Sequence, residues 1–258
     1  MIVDCHTHIW QSPEQLGSLE LGEMTKPSRP RTSGRLGTNR STWRMTPAAD
    51  ADYHWEQSAA VDKSIVLGFK SRYMRAEIPN VYVADYVKRF PQKLIGFAGI
   101  DPTEPQAVEE VQIARSELQL RGITISPANQ DFHPSDTRAM EVYAECEKLG
   151  MPVISHSGNQ FTQGSKLEYA RPYLFDEVAR TFPNLRIVIS QLGQPWVDET
   201  ICLLGKHPNV YADVSGLLSR PWQAYNALVS AYQYGVIDKL LFGSDFPYTS
   251  ATECIEAL

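Results

Sequence analysis

Eight short apolar runs, each followed by a stretch with helical spacing, constrain most strongly how these 258 residues can fold. The runs fall at 1–6, 64–69, 93–100, 121–126, 151–156, 185–191, 208–213 and 238–244. Ser64-Ile65-Val66-Leu67 and Leu185-Arg186-Ile187-Val188-Ile189 are typical. Most are continuous rather than alternating, which is how parallel strands covered on both faces read. Thr46-Pro47 supplies an N-cap followed by proline at the first helical position, and opens a helix expected to end near Ala60. Val81, Ala84, Val87 and Phe90 share one face of 80–90, and Val108, Val111, Ala114 and Leu118 share one face of 107–118. Helices are also expected over 136–149, stopping at Gly150, over 172–182, before Pro183, and over 221–234, at Gly235. Residues 195–206 supply a further one.

Strands alternating with helices in this number predict an α/β (β/α)8 barrel, one domain over 1–258. A doubly wound open sheet is the alternative. It usually offers a glycine-rich turn after its first strand, where this chain has His6-Thr7-His8. Two departures from a plain barrel are expected. Residues 10–46 form a lid-like insertion after strand one, far longer than the roughly 2–6 residues of an ordinary βα connection. The last strand is followed by so little chain that the final helix must be short or incomplete.

Composition narrows the classes of function. With 24 Lys and Arg against 30 Asp and Glu the net charge is −6, which gives no global reason to bind nucleic acid or an anionic membrane. No run of about 18 apolar residues is present, so no membrane span is expected. The start, Met1-Ile2-Val3-Asp4-Cys5-His6, does not read as a signal peptide. The cysteines, at 5, 146, 202 and 254, make no CxxC pair, and a reducing cytoplasm is the expected location.

Strand side chains alternate, so Asp4, His6 and His8 share one face of the first strand. Strand five ends Val153-Ile154-Ser155-His156, and strand eight ends Phe242-Gly243-Ser244-Asp245. In barrels the catalytic residues sit at the C-terminal ends of several strands. Singly, each histidine also reads as a satisfied polar residue of the barrel. Together, three imidazoles and a carboxylate suit one Zn²⁺, with Mn²⁺ or Fe²⁺ as alternatives.

These strand ends, with Gly158, Gly243-Ser244-Asp245-Phe246-Pro247 and Gly99-Ile100-Asp101-Pro102, resemble the amidohydrolase superfamily along essentially the whole chain. The branch is the amidohydrolase-related group, which includes aminocarboxymuconate-semialdehyde decarboxylase, resorcylate decarboxylases and metal-dependent lactone hydrolases. The resemblance implies His6, His8, His156 and Asp245 as metal ligands, with Asp245 also shuttling a proton. The bridging lysine of binuclear relatives is absent from Arg121-Gly122-Ile123-Thr124-Ile125-Ser126-Pro127, which implies a single metal. One position departs from the family pattern. Relatives end strand six with a histidine in a phrase like His-Leu-Gly-Gly, whereas this chain has Ser190-Gln191-Leu192-Gly193-Gln194-Pro195-Trp196. Gln191 can hold a water or substrate oxygen, but it takes up no proton near neutral pH.

Between 24 and 49 lie Lys26, Arg29, Arg31, Arg35, Arg40 and Arg44, with no acid. A basic segment on the catalytic face suggests an anionic, carboxylated substrate; a solvated or partner-facing loop is the alternative. Trp10 and Trp43 are candidate pocket walls or packing for the loop. Lys70, Arg72, His133 and Trp196 are further substrate-binding candidates, each also open to a surface or packing role. His207 is expected to be structural, His54 to be exposed or packed against the loop, and Cys5 to be a small buried hydrophobe pointing away from the metal.

The expected function is a metal-dependent hydrolase of a carboxylated ester, lactone or amide, using activated water and Asp245, with Gln191 orienting substrate or water. A metal-dependent non-oxidative decarboxylase of an aromatic or enoic acid is the alternative. A barrel that binds a metabolite without turning it over is the third reading. No nucleic-acid or membrane partner is expected, and a homodimer is implied by the resemblance alone.

Overall fold

The computed structural model describes residues 1–17, 49–158 and 164–258. Its main sheet contains β1 (Val3–His8), β2 (Lys63–Leu67), β3 (Leu94–Gly99), β4 (Gly122–Ile125), β5 (Val153–Ser155), β6 (Ile187–Ile189), β7 (Val210–Asp213) and β8 (Leu240–Leu241). These strands are parallel and neighbour one another in chain order. The segment after β8 closes the sheet on β1. Cys5 N–H donates to the Phe242 carbonyl at 3.0 Å, Asp245 N–H to His6 at 3.0 Å, and His8 N–H to Phe246 at 2.9 Å. Gly243 permits this approach, since a Cβ there would lie 2.9 Å from His6 Cβ and 3.1 Å from Ser215 Cβ. The architecture is a (β/α)8 barrel.

The helices are α1 (Ala51–Gln57), α2 (Asn80–Arg89), α3 (Ala107–Ser116), α4 (Pro127–Gln130), α5 (Thr137–Leu149), α6 (Phe175–Thr181), α7 (Val197–Lys206), α8 (Pro221–Gln233) and α9 (Ala251–Glu256). The continuous apolar runs have a direct cause, because each strand is buried on both sides. Val153, Ile187 and Ile189 pack outward with helix residues such as Val142, Val178 and Ile201. Ile154 and Val188 point inward and meet Leu67 and Phe97 inside the barrel.

Several boundaries differ from those read in the sequence. Strand six stops at Ile189 instead of 191, because Gln191, Leu192 and Gly193 take φ of 55°, 49° and 64°, which no strand accommodates. The first helix begins at Ala51 on an Asp50 cap, whose side chain accepts from the N–H groups of Asp52 and Tyr53. Thr46-Pro47 lies outside the described residues, as does most of the 10–46 insertion. The helix expected over 172–182 is a 3₁₀ turn, Pro172–Leu174, followed by α6. An unexpected hairpin, Lys70–Ser71 with Ala76–Glu77, follows β2. The last helix is short, as expected, and starts on a Ser250–Glu253 capping box. Among the described residues no helix is long and apolar enough to cross a membrane.

His54 is buried rather than exposed. Its Nδ1 lies 2.7 Å from Tyr86 Oη and its Nε2 2.9 Å from Thr7 Oγ1. Thr7 spends its own proton on the Ile65 carbonyl at 2.7 Å, so it accepts from His54 Nε2–H and Tyr86 O–H donates to Nδ1. The imidazole thereby ties α1 to β1 and α2. Burial, aided by the charge of Lys93, pushes its pKa from 6.5 down to about 3. Folded His54 is therefore neutral where the unfolded chain is protonated, and stability drains away as pH falls below 6.5. A His54→Gln variant is expected to lose about 1–3 kcal/mol at neutral pH. It should also shed one proton's share of acid sensitivity, about 1.4 kcal/mol per pH unit. Urea unfolding across pH checks this; parallel pH dependences for variant and wild type would contradict it.

Candidate active site

The C-terminal ends of β1, β5 and β8 bring His6, His8, His156 and Asp245 to one point. His6 Nε2 lies 3.1 Å from His8 Nε2 and 3.6 Å from Asp245 Oδ1. The His156 ring centroid is 5.0 Å from that of His6 and 5.2 Å from that of His8. One ligand atom from each histidine lies within 4.8 Å of the other two. His156 Nε2 is buried with no hydrogen-bond partner. Buried polar atoms are seldom left orphaned, and a nitrogen left so beside two converging imidazoles suits a metal ligand. The donor set of three imidazole nitrogens and one carboxylate oxygen fits a single divalent ion.

Asp213, at the end of β7, orients the cluster. Its Oδ2 accepts from His6 Nδ1 at 3.0 Å, which leaves Nε2 as the atom facing the cluster. Its Oδ1 accepts from Gln191 N–H at 2.9 Å and from Ser215 N–H at 3.0 Å. Asp213 is not among the site residues expected from the sequence, although a carboxylate ending Val210-Tyr211-Ala212-Asp213 meets the same strand-end criterion as Asp245.

The local charges are uneven. Burial opposes a charge on His6, but Asp213, followed by Asp245 and Asp4, outweighs it and raises the pKa to about 9. Burial and then the charge of His6 push His8 down to about 3. His156 is driven well below its ordinary value by burial, then by His6 and His8. His8 and His156 thus stay neutral, as metal ligands must, and a bound cation would drive the proton off His6 Nε2. Burial raises Asp245 to about 7 against the pull of His6; a bound cation would act in the opposite direction.

Above this floor opens a cavity of about 710 Å³ including its mouth, walled by Trp10, Leu16, Phe69, Met74, Ile78 and Tyr248. His8, His156, Gln191 and Asp245 form its polar side, together with Ser126 and Asn129. Gln191 lies in the turn after β6, and its Nε2 donates to Asp245 Oδ2 at 2.9 Å. Of the residues expected to bind substrate, Trp10 lines the cavity. The others that the structure describes stand outside its lining. Lys70 Nζ is taken up by Glu104 at 2.8 Å and Glu110 at 2.6 Å. Arg72 is exposed. His133 Nδ1 is 2.9 Å from Ser135 Oγ, and its ring meets Tyr169 edge-on. Trp196 is half-buried, with the Arg171 guanidinium 5.9 Å from its ring centroid. Arg44, Trp43 and the other basic residues of 24–48 lie outside the described residues. His207 pairs with Asp176 at 2.6 Å, and Cys5 is buried. Phe69, Met74, Ser126, Asn129 and Tyr248 carry no motif that would have singled them out.

An Asp213→Asn variant is expected to bind Zn²⁺ or Mn²⁺ about 10–100-fold more weakly than wild type. Competition with a chromogenic chelator measures this, and equal affinities would contradict the control of His6 by Asp213.

The sequence matches the amidohydrolase family over residues 3–255. No curated protein sequence matches it. An uncharacterized TIM-barrel protein from Bordetella bronchiseptica shares the fold with TM-score 0.75 at 21% identity, over 99% of this chain and 89% of that one. A 5-carboxyvanillate decarboxylase from Novosphingobium aromaticivorans, complexed with manganese and 4-hydroxy-3-methoxy-5-nitrobenzoic acid, superposes with TM-score 0.66 at 14% identity, over 100% and 89%. A probable 2-pyrone-4,6-dicarboxylic acid hydrolase from Acinetobacter baumannii, with citric acid bound, gives 0.63 at 15%, over 99% and 90%. At such identities these structures share the fold, and it is the match over nearly the whole chain that makes this protein a member of the amidohydrolase family, in its amidohydrolase-related branch.

Proposed function

We propose that the protein is a metal-dependent hydrolase of a small carboxylated ester, lactone or amide. The observation that carries this reading is the convergence of His6, His8 and His156 beside Asp245 at the floor of a single cavity. His6, His8, His156 and Asp245 would hold one divalent ion, for which Zn²⁺ and Mn²⁺ both suit the donors. When bound, such an ion supplies Lewis-acid polarisation and makes water acidic enough to lose a proton near neutrality.

The side chains supply the rest. Asp245 Oδ1 faces the cluster, takes the proton of the attacking water and returns it to the leaving group. Asp213 keeps His6 in the tautomer that presents Nε2. Trp10, Phe69 and Tyr248 flank a flat substrate body and exclude water, which strengthens every charge interaction at the floor. Asn129 and Ser126 offer hydrogen bonds to its oxygens. Among the described residues no Lys or Arg lines the cavity.

A second reading, non-oxidative decarboxylation of an aromatic or enoic acid, is favoured by the apolar wall of Trp10, Leu16, Phe69, Met74 and Ile78. A carboxylate held against such a wall gains by leaving as neutral carbon dioxide. The carbon that keeps the bonding pair then takes the proton from Asp245.

Protein loaded with Zn²⁺ or Mn²⁺ and offered carboxylated lactones and aromatic acids should convert a lactone to a product heavier by one water and release no carbon dioxide from either class. Release of carbon dioxide would establish the second reading. Asp245→Asn with metal retained is expected to lower turnover at least about 10²-fold. Unchanged turnover would remove Asp245 from the mechanism, and metal-loaded wild type that binds these acids without converting any would leave a metabolite-binding barrel.

A further inference from the structure

Gln191 stands where two carboxylates of the site come together. It is buried and takes φ of 55°, a left-handed conformation that a residue with a side chain seldom adopts. From there its main-chain N–H donates to Asp213 Oδ1 at 2.9 Å, and its side-chain Nε2 donates to Asp245 Oδ2 at 2.9 Å. The far oxygens of the two carboxylates both face His6. Asp213 Oδ2 is 3.0 Å from Nδ1, and Asp245 Oδ1 is 3.6 Å from Nε2. One residue therefore grips both carboxylates that flank the His6 ring. Gly158 backs the amide, since a Cβ there would come within 3.1 Å of Gln191 Cβ and 3.2 Å of its Oε1. With Asp245 ionised the polarity of the side-chain contact is fixed, because turning the amide oxygen toward it would set acceptor against acceptor.

Any residue at 191 other than proline would supply the main-chain donor. The side-chain donor is what glutamine adds. We propose that Gln191 is a positioning residue that latches Asp245, capping Oδ2 so that Oδ1 alone is presented to His6 and the histidine cluster. An amide neither gains nor loses a proton in the ordinary pH range, so the cap is permanent. A histidine here, as the family pattern has it, could exchange protons with Asp245. Gln191 separates the two tasks: it holds the carboxylate and leaves proton transfer to Oδ1. The latch is a property of the metal-free fold; its effect on the metal rests on the function proposed above.

The test exchanges the partners. Gln191→Glu sets a carboxylate against Asp245 with almost no change in shape. In the double variant Gln191→Glu/Asp245→Asn, amide and carboxylate trade places and the hydrogen bond returns. The metal-free double variant is expected to melt at a higher temperature than Gln191→Glu alone. Absence of that rescue overturns the latch, whatever the metal does. Gln191→Met, of similar length but without a donor, is expected to weaken Mn²⁺ binding about 10-fold or more, read from the paramagnetic resonance of free Mn²⁺. It should also alter the visible spectrum of the Co²⁺-substituted protein. Rescue accompanied by wild-type Mn²⁺ affinity and Co²⁺ spectrum in Gln191→Met overturns the positioning role. If wild type takes up neither ion, the metal reading fails, and the melting comparison alone decides the latch.

Discussion

Asp213 and His6 meet at 3.0 Å with neither side chain open to solvent. Taking a carboxylate out of water costs several kcal/mol, so the cost has to be offset on the spot. It is offset by a full set of donors: His6 Nδ1–H on one oxygen, and the N–H groups of Gln191 and Ser215 with the Ser215 hydroxyl on the other. Asp4 acts similarly at the seam, where its Oδ1 accepts from His6 N–H at 3.2 Å and from Ser244 N–H at 2.9 Å. Since Asp245 N–H donates to the His6 carbonyl, closing the barrel and assembling the site are one event. A sheet left open between β8 and β1 would separate Asp245 from the histidines.

Much of this was legible in the sequence because it rests on local pattern. Val153 and Ile154 are both apolar because one faces the helices and the other the barrel interior, and such runs announce parallel strands. His6, His8, His156 and Asp245 were visible as ligand-type residues at strand ends. What stayed hidden depends on contacts between distant segments or on backbone conformations without a sequence signature. Ile189-Ser190-Gln191 reads as continuing strand, yet Gln191 and Leu192 are left-handed without being glycine. His54 reads in the sequence as exposed or packed against the loop, and only the fold supplies Thr7 and Tyr86 as partners. Lys70 does follow strand two, but Glu104 and Glu110 from around α3 take its charge.

The cavity joins two environments that reinforce each other. Its wall is aromatic and aliphatic, and its floor holds the titratable groups. Low polarity above strengthens every charge interaction below. It also favours a substrate that is flat and apolar apart from the group placed at the floor. In the proposed function, hydrolysis and decarboxylation would both make use of this division, with one proton moved at Asp245. The leaving group would distinguish the two reactions.

The central claim, a single-metal site built by β1, β5 and β8, is tested most directly by elemental analysis of protein purified without chelator. Wild type is compared with the His6→Ala/His8→Ala double variant. Close to one zinc or manganese ion per chain is expected in wild type and none in the variant. Wild type without metal, even after incubation with both ions, would contradict it.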